Sequence, residues 1–304
     1  LNNLLIGGDE MRILSFVKFL ISIDYPINLH ILNNHLNNNI DNLKSKNLCN
    51  HFETSVFDKD DYSNINGFIY LYDFPENIND DNIDFLKEKI SNFRLSVNDI
   101  IEKGFNGKII INGFRDDILN YFASKFTGKS SSNLIGTGTL PSTLILKNIL
   151  KNYFNVGISD ITISTFGSNT KNFISWSRSY IGQTPILSYL SDKNNLFKDD
   201  VLDDINHQLD LQVLSKDEIL QFKSIKIILD SLYLYSPHIM DLSNLRVNNG
   251  KLSSLSSPVI INNKGLYQYI KVSLSDNEES TFNSIFDESN VVINEIINGG
   301  KNNE

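Results

Sequence analysis

The stretch closest to ligand chemistry is "IGGDEMR", running from Ile6 to Arg12. It ends a short apolar run, "NLLIGG", and opens a segment with apolar residues at helical spacing, so it reads as a strand-to-helix turn. Such a turn cradles a dinucleotide pyrophosphate when it carries G-x-G-x-x-G. One glycine makes the turn, one admits backbone amides to the phosphate, and one lets the helix pack on the strand. Here Gly7 takes the first place, and Asp9 and Arg12 take the second and third. Asp9 and Glu10 put two carboxylates where the positive end of the helix would otherwise draw an anion, and both read as first-turn residues favoured by the helix dipole. At the end of the following strand, "HILNN", Asn33 stands where an acidic residue would grip the ribose. The candidate dinucleotide contacts are therefore Gly7, Gly8, Arg12 and Asn33, a degenerate set. No cofactor is expected on this reading, and NAD is the cofactor of the alternative.

Proton transfer near neutral pH is histidine chemistry. The histidines are His30, His35, His51, His207 and His238, with none between residues 52 and 206. His238, beside Pro237, reads as structural. The single Cys49 excludes an internal disulfide, and no metal site is expected. The net charge of −9 and five scattered arginines (Arg12, Arg94, Arg115, Arg178, Arg246) argue against a nucleic-acid partner. The most apolar run, "RILSFVKFLISI", is interrupted by Lys18 and falls short of the roughly 20 residues a membrane span needs. A soluble, cytoplasmic protein is expected.

These residues need elements to hold them. At 304 residues the chain suggests two domains. In the first half, strands such as "INLHIL", "GFIYLYDF" and "GKIIING" alternate with helices. One is a long amphipathic helix with Ile83, Leu86, Ile90, Phe93, Val97 and Ile101 on one face. That order implies a doubly wound parallel α/β sheet over residues 1–136, of Rossmann type, binding ligands at its carboxyl edge. Residues 137–304 change character. Alternating strands "DITISTF" and "YQYIKVSLS", a turn signal "NNKG" and a terminal helix capped by Ser275 with Glu278 predict an α+β domain with antiparallel hairpins.

With these elements in order, the chain resembles the L-lactate and L-2-hydroxy acid dehydrogenases of the lactate/malate dehydrogenase superfamily. The likeness rests on "GFNGKIIINGFRDDILNYFASKFTGKSSSNLIGTGTLPSTLILKNILKNYFNV", "SWSRSYIG" and "SPVIINNKGLYQYIKVSLSDNEESTFNSI", which follow the family pattern in order over nearly the whole chain. The resemblance implies a general-acid histidine, yet its position reads Phe166, in a loop slightly longer than the family's. The aspartate orienting that histidine reads Ser142, the arginine gripping the substrate carboxylate reads Ile145, and the asparagine at the carbonyl reads Phe114. The segment "YDFPENINDDNID", which in the family carries a second arginine, has none.

No catalytic residue is therefore expected. The favoured reading is a dehydrogenase-like pseudoenzyme acting as scaffold, binding module or partner subunit. One alternative is an NAD-dependent L-2-hydroxy acid (lactate) dehydrogenase with a rearranged site, and a second is a small-metabolite sensor using the inter-domain cleft. Phe166 is read as filling the space of a lost histidine, with a role in lining a repurposed pocket as the rival. The resemblance implies a homo-oligomer, dimer or tetramer, or a hetero-oligomer with an active relative. The stretch between Asn34 and Phe57 is shorter than the family's interface helix, which weighs against a tetramer.

Overall fold

The computed structural model describes residues 1–32, 36–45, 48–56, 61–77, 82–191, 199–214, 217–248 and 250–299. Strands and helices alternate first: β1 (Asn2–Gly8), α1 (Glu10–Ser22), β2 (Ile27–Ile31), α2 (Asn37–Ser45), β3 (Glu53–Val56), β4 (Gly67–Leu71), α3 (Ile83–Glu102), β5 (Lys108–Asn112), α4 (Asp116–Thr127) and β6 (Leu134–Gly136). The strands pair in parallel in the order β3-β2-β1-β4-β5-β6. Continuous apolar runs such as "GFIYL", buried along their length, are what a sheet covered on both faces requires. The order reverses between β1 and β4, and a doubly wound sheet opens its ligand crevice at such a reversal.

The remaining elements are α5 (Leu140–Phe154), β7 (Ile161–Thr162), β8 (Thr165–Gly167), β9 (Asn172–Ile174), β10 (Tyr180–Ile181), β11 (Thr184–Pro185), α6 (Asp199–Leu214), α7 (Glu218–Tyr233), β12 (His238–Asn248), β13 (Lys251–Asn262), β14 (Gly265–Tyr269) and α8 (Asp276–Asn298). The hairpin β12–β13 extends the parallel sheet. β12 meets β6 antiparallel at Ser243 opposite Gly136, and β13 meets β8 at Ser256 opposite Gly167. A side chain at Gly136 would put its Cβ 2.6 Å from that of Ser243, so the junction admits only glycine. A separate three-stranded sheet, β11-β10-β7, packs with α5 and α6 through Ile145, Leu146, Ile161 and Ile205. On the main sheet α1 and α7 cover one face, around Phe16, Leu229 and Ile69, while α3, α4 and α8 cover the other, around Phe93, Ile118 and Ile293.

Two strands differ from the sequence reading. "DITISTF" is not continuous: Ile161–Thr162 joins the small sheet and Thr165–Gly167 joins the large one. "YQYIKVSLS" leaves the sheet after Tyr269, because the partner strand there reaches Pro258, which has no N–H to continue the ladder; its carbonyl takes a last bond from Ile270 at 3.0 Å. The cap of α8 forms as the sequence predicts, with the Ser275 N–H donating to Glu278 at 2.9 Å.

Candidate functional site

The carboxyl edge of β1 presents Gly7 and Gly8 and passes through Asp9 into α1. Gly8 has φ +120°, and a Cβ there would stand 1.8 Å from the Leu71 carbonyl oxygen, so the close approach of β1 to β4 demands this glycine. The carboxylate of Asp9 closes the turn: it accepts from the Asp73 N–H at 2.8 Å and is 3.0 Å from Nζ of Lys89, which reaches across from α3. Arg12 points inward and is buried. Its Nη2 donates to Asn112 Oδ1 at 2.6 Å, its guanidinium lies 5.3 Å from the Phe222 ring centroid and 5.8 Å from that of Phe74, and Asp73 and Glu218 stand 3.9 and 3.7 Å away. Burial lowers the pKa of Arg12, opposed by Glu218, Asp73 and Asp9.

A pyrophosphate at this helix terminus would meet the Asp9 carboxylate, already satisfied by Lys89. Arg12 is held away by Asn112 and two aromatic rings. The residues present do not fit a dinucleotide held on a glycine-rich turn. Asn33 lies outside the described residues, as do positions 78–81 of the segment without arginine.

The cleft beyond the sheet edge is lined by Phe74, Gly138, Pro141, Ser142, Ile145 and Asn169 on one side, and by Asp217, Leu220 and Gln221 of the α7 start on the other. Ser142 and Ile145, three residues apart, share one face of α5. Asn169 is the residue that the loop after β8 delivers here. Its Nδ2 donates to the Gly113 carbonyl at 2.7 Å and its Oδ1 accepts from the Arg115 N–H at 3.0 Å. Gln221 accepts from Asn112 at 2.8 Å. The free space is about 20 Å³, room for about one water molecule.

Of the residues singled out in the sequence, the structure brings Ser142 and Ile145 together in this cleft and places Phe166 elsewhere. Phe166, 4% exposed, faces the opposite side of β8. It stacks on Phe173 with centroids 5.7 Å apart and meets Phe282 edge-on at 6.0 Å. Alternation along a strand explains this: the neighbouring Thr165 points toward α5 and bonds Thr143, whose hydroxyl also donates to Asp241 at 2.6 Å. Phe114 is buried between Phe74 and Phe85, behind the cleft wall. Sequence reasoning missed Asn169, and the extra length of its loop is the signal that could have found it.

Behind the cleft lie carboxylates the sequence did not flag. Asp116 accepts from Thr137 at 2.7 Å, Gly138 N–H at 2.7 Å and Ser243 at 2.8 Å. Burial still pushes its pKa up to about 7, reinforced by the nearby Asp117 carboxylate, because these hydrogen bonds do not offset the loss of water. Asp241 is raised to about 6, again by burial against hydrogen bonds from Thr143 and Thr165. Asp117 pairs with Arg115 at 2.9 Å, and both are buried. Among the described residues no group of three histidine, cysteine or acidic side chains could hold a metal, and no helix is long and apolar enough to cross a membrane.

This architecture is an α/β fold of the lactate dehydrogenase type. A lactate dehydrogenase from a Medee basin deep-sea metagenome library superposes with TM-score 0.84 over 97% of this chain and 98% of that one, at 17% identity. The minor L-lactate dehydrogenase of Enterococcus mundtii, in its ligands-bound form, gives 0.80 over 96% and 98%, at 16% identity. In sequence, the chain is 23% identical to an L-lactate dehydrogenase of Bacillus pumilus (strain SAFR-032) over 212 residues, 66% of each protein. The match thus spans about two thirds of that relative's length. Over 112 residues, 36% of this chain and 35% of the relative, it is 30% identical to the L-lactate dehydrogenase of Geobacillus stearothermophilus. No protein-family model matches. The chain thus has the lactate dehydrogenase fold and is similar in sequence to proteins named L-lactate dehydrogenase.

Proposed function

We propose that this lactate dehydrogenase-like protein has left hydride transfer behind and uses the inherited fold as a binding or scaffold protein, as a homo-oligomer or as partner subunit to an active relative. The observation that carries the reading is the cleft of about 20 Å³ in which Ser142, Ile145 and Asn169 meet. Reduction of a 2-oxo acid requires a proton donor for the developing alkoxide and a cation for the carboxylate. Those three side chains offer a hydroxyl, a hydrocarbon and an amide already spent on Gly113 and Arg115. Among the described residues the carboxylate lining the cleft is Asp217, which caps α7 by accepting from the Leu220 N–H at 3.0 Å. The free space of about 20 Å³ among the described residues weighs against the metabolite-sensor reading at this cleft.

Calorimetric titration with NADH, followed by turnover assays with pyruvate and a branched 2-oxo acid, tests the proposal. No heat of binding and no oxidation of NADH are expected, and turnover above a heat-denatured control would overturn it. The second reading, an NAD-dependent L-2-hydroxy acid dehydrogenase with rearranged chemistry, draws on the relatives named L-lactate dehydrogenase and on the retained Gly7 and Gly8. It requires NADH uptake in the same titration. Light scattering of the pure protein, alone and mixed with an active relative, separates homo- from hetero-assembly.

A further inference from the structure

A cavity of about 510 Å³ opens on the side of β8 away from the cleft, between the end of the β12–β13 hairpin, the segment after β14 and α8. Its wall is apolar over Phe166, Val272, Leu274, Phe282 and Phe286. Arg246 of β12 also lines it. That side chain is oriented from several directions: Nε donates to Asn244 Oδ1 at 3.0 Å, Nη2 donates to the Ser257 hydroxyl, and the guanidinium sits 5.7 and 5.9 Å from the ring centroids of Phe282 and Tyr269. Arg12 and Arg115, the other arginines drawn in from the surface, both have carboxylates within 4.0 Å, at Asp73 and Glu218 and at Asp117. Arg246 has none among the described residues, and its Nη1 has no acceptor among them.

A fixed guanidinium with an unused nitrogen, set in an aromatic wall, matches a ligand with one anionic end and an apolar body. Among the described residues the other charged members of the lining are Lys271 and Glu279, which oppose one another and leave the excess charge at a single positive unit. That balance selects a monoanion over a dianion. The volume lies within the range of roughly 300–1,000 Å³ usual for small-molecule sites. We infer that this cavity binds an amphipathic monocarboxylate, its carboxylate on Arg246 and its hydrocarbon body against Phe166, Phe282 and Phe286. The inference does not depend on whether the protein retains dehydrogenase activity, since the cavity lies across β8 from the cleft.

Octanoate, with octanol as its uncharged counterpart, is the probe. In calorimetry on the full chain, octanoate is expected to bind and to raise the melting temperature, with octanol weaker by about tenfold or more, the worth of one charge-assisted hydrogen bond. Arg246→Gln should weaken octanoate by the same factor and leave octanol unchanged. Because Arg246 also holds Asn244 and Ser257, Val247→Asp serves as the second variant. Val247 lies at the mouth of the cavity and is 71% exposed, so the substitution spares the fold while setting a negative charge against the ligand. Octanol binding as tightly as octanoate, absence of octanoate uptake at millimolar concentration, or unchanged affinity in Val247→Asp would each overturn the inference.

Discussion

The two sides of β8 have opposite fates. On the cleft side, the space is packed with polar side chains that bond one another: Asn169 ties the loop to Gly113 and Arg115, and Asn112 joins Arg12, Thr137 and Gln221. On the far side, Phe166 faces a cavity of about 510 Å³ with an arginine, Arg246, that has no carboxylate partner among the described residues. The cleft is filled by interlocking side chains, and the larger open space lies across β8 from it. Substitutions on the closed side should therefore cost stability, and those at the rim of the open side should cost little.

The sharpest test is Asp117→Ala. Asp117 is fully buried against Arg115, itself only 4% exposed, and removing it takes this carboxylate from a buried guanidinium that also donates to Ser289 at 3.0 Å. A loss of about 3–5 kcal/mol is expected in urea unfolding. A loss under about 1 kcal/mol would mean that water reaches this pair and that the closed side is not closed.

Next comes the pH dependence set by Asp116, whose pKa burial lifts from 3.8 to about 7. A carboxyl protonated in the folded chain and ionised in the unfolded one removes stability as pH rises. Its cost should thus grow from about pH 4 to pH 7 and stay constant above, amounting to about 2–4 kcal/mol. Asp241, raised to about 6, acts in the same direction. Urea unfolding at pH 4.5 and 7.5 should show a smaller difference in Asp116→Asn than in the native chain. Identical differences would place the titration elsewhere. Asp24, held below its usual range mainly by His51, titrates outside this window.

Gly8→Ala probes the turn where a dinucleotide fold would bind its pyrophosphate. With φ +120° and the Leu71 oxygen in the way, alanine is expected to cost at least about 1–3 kcal/mol. A stable Gly8→Ala protein would show that β1 and β4 can separate there, reopening the question of a ligand at that edge.

Much of this arrangement is legible in the sequence. The alternation of apolar strands and amphipathic helices gives the doubly wound order, and the residues at Ser142 and Ile145 fall in the cleft because helical spacing in "LPSTLILKN" leaves them no other common face. Strand registers are not legible to the same degree. "DITISTF" alternates well enough to pass for one strand, and only the division between two sheets shows that Phe166 turns from the cleft while the residue from that loop in the cleft is Asn169. A shift of one position along a strand exchanges its faces, and a loop of changed length hides which face is meant. The buried carboxylates are invisible for a related reason. Asp116 looks like an ordinary first-turn acid of α4 until β12 is laid against it with Ser243.

The smallest expected effect lies on the open side. Val247 projects from β12 opposite Leu252 at the mouth of the Arg246 cavity, mostly in solvent, so Val247→Asp removes little buried apolar area and leaves no polar group without water. Its stability should stay within about 0.5 kcal/mol of the native chain. A much larger loss, measured by the same urea titration as Asp117→Ala, would show that the cavity wall is packed as firmly as the cleft. The contrast across β8 would then collapse, because the space beside Phe166 would be held shut by the same interlocking that fills the space beside Asn169.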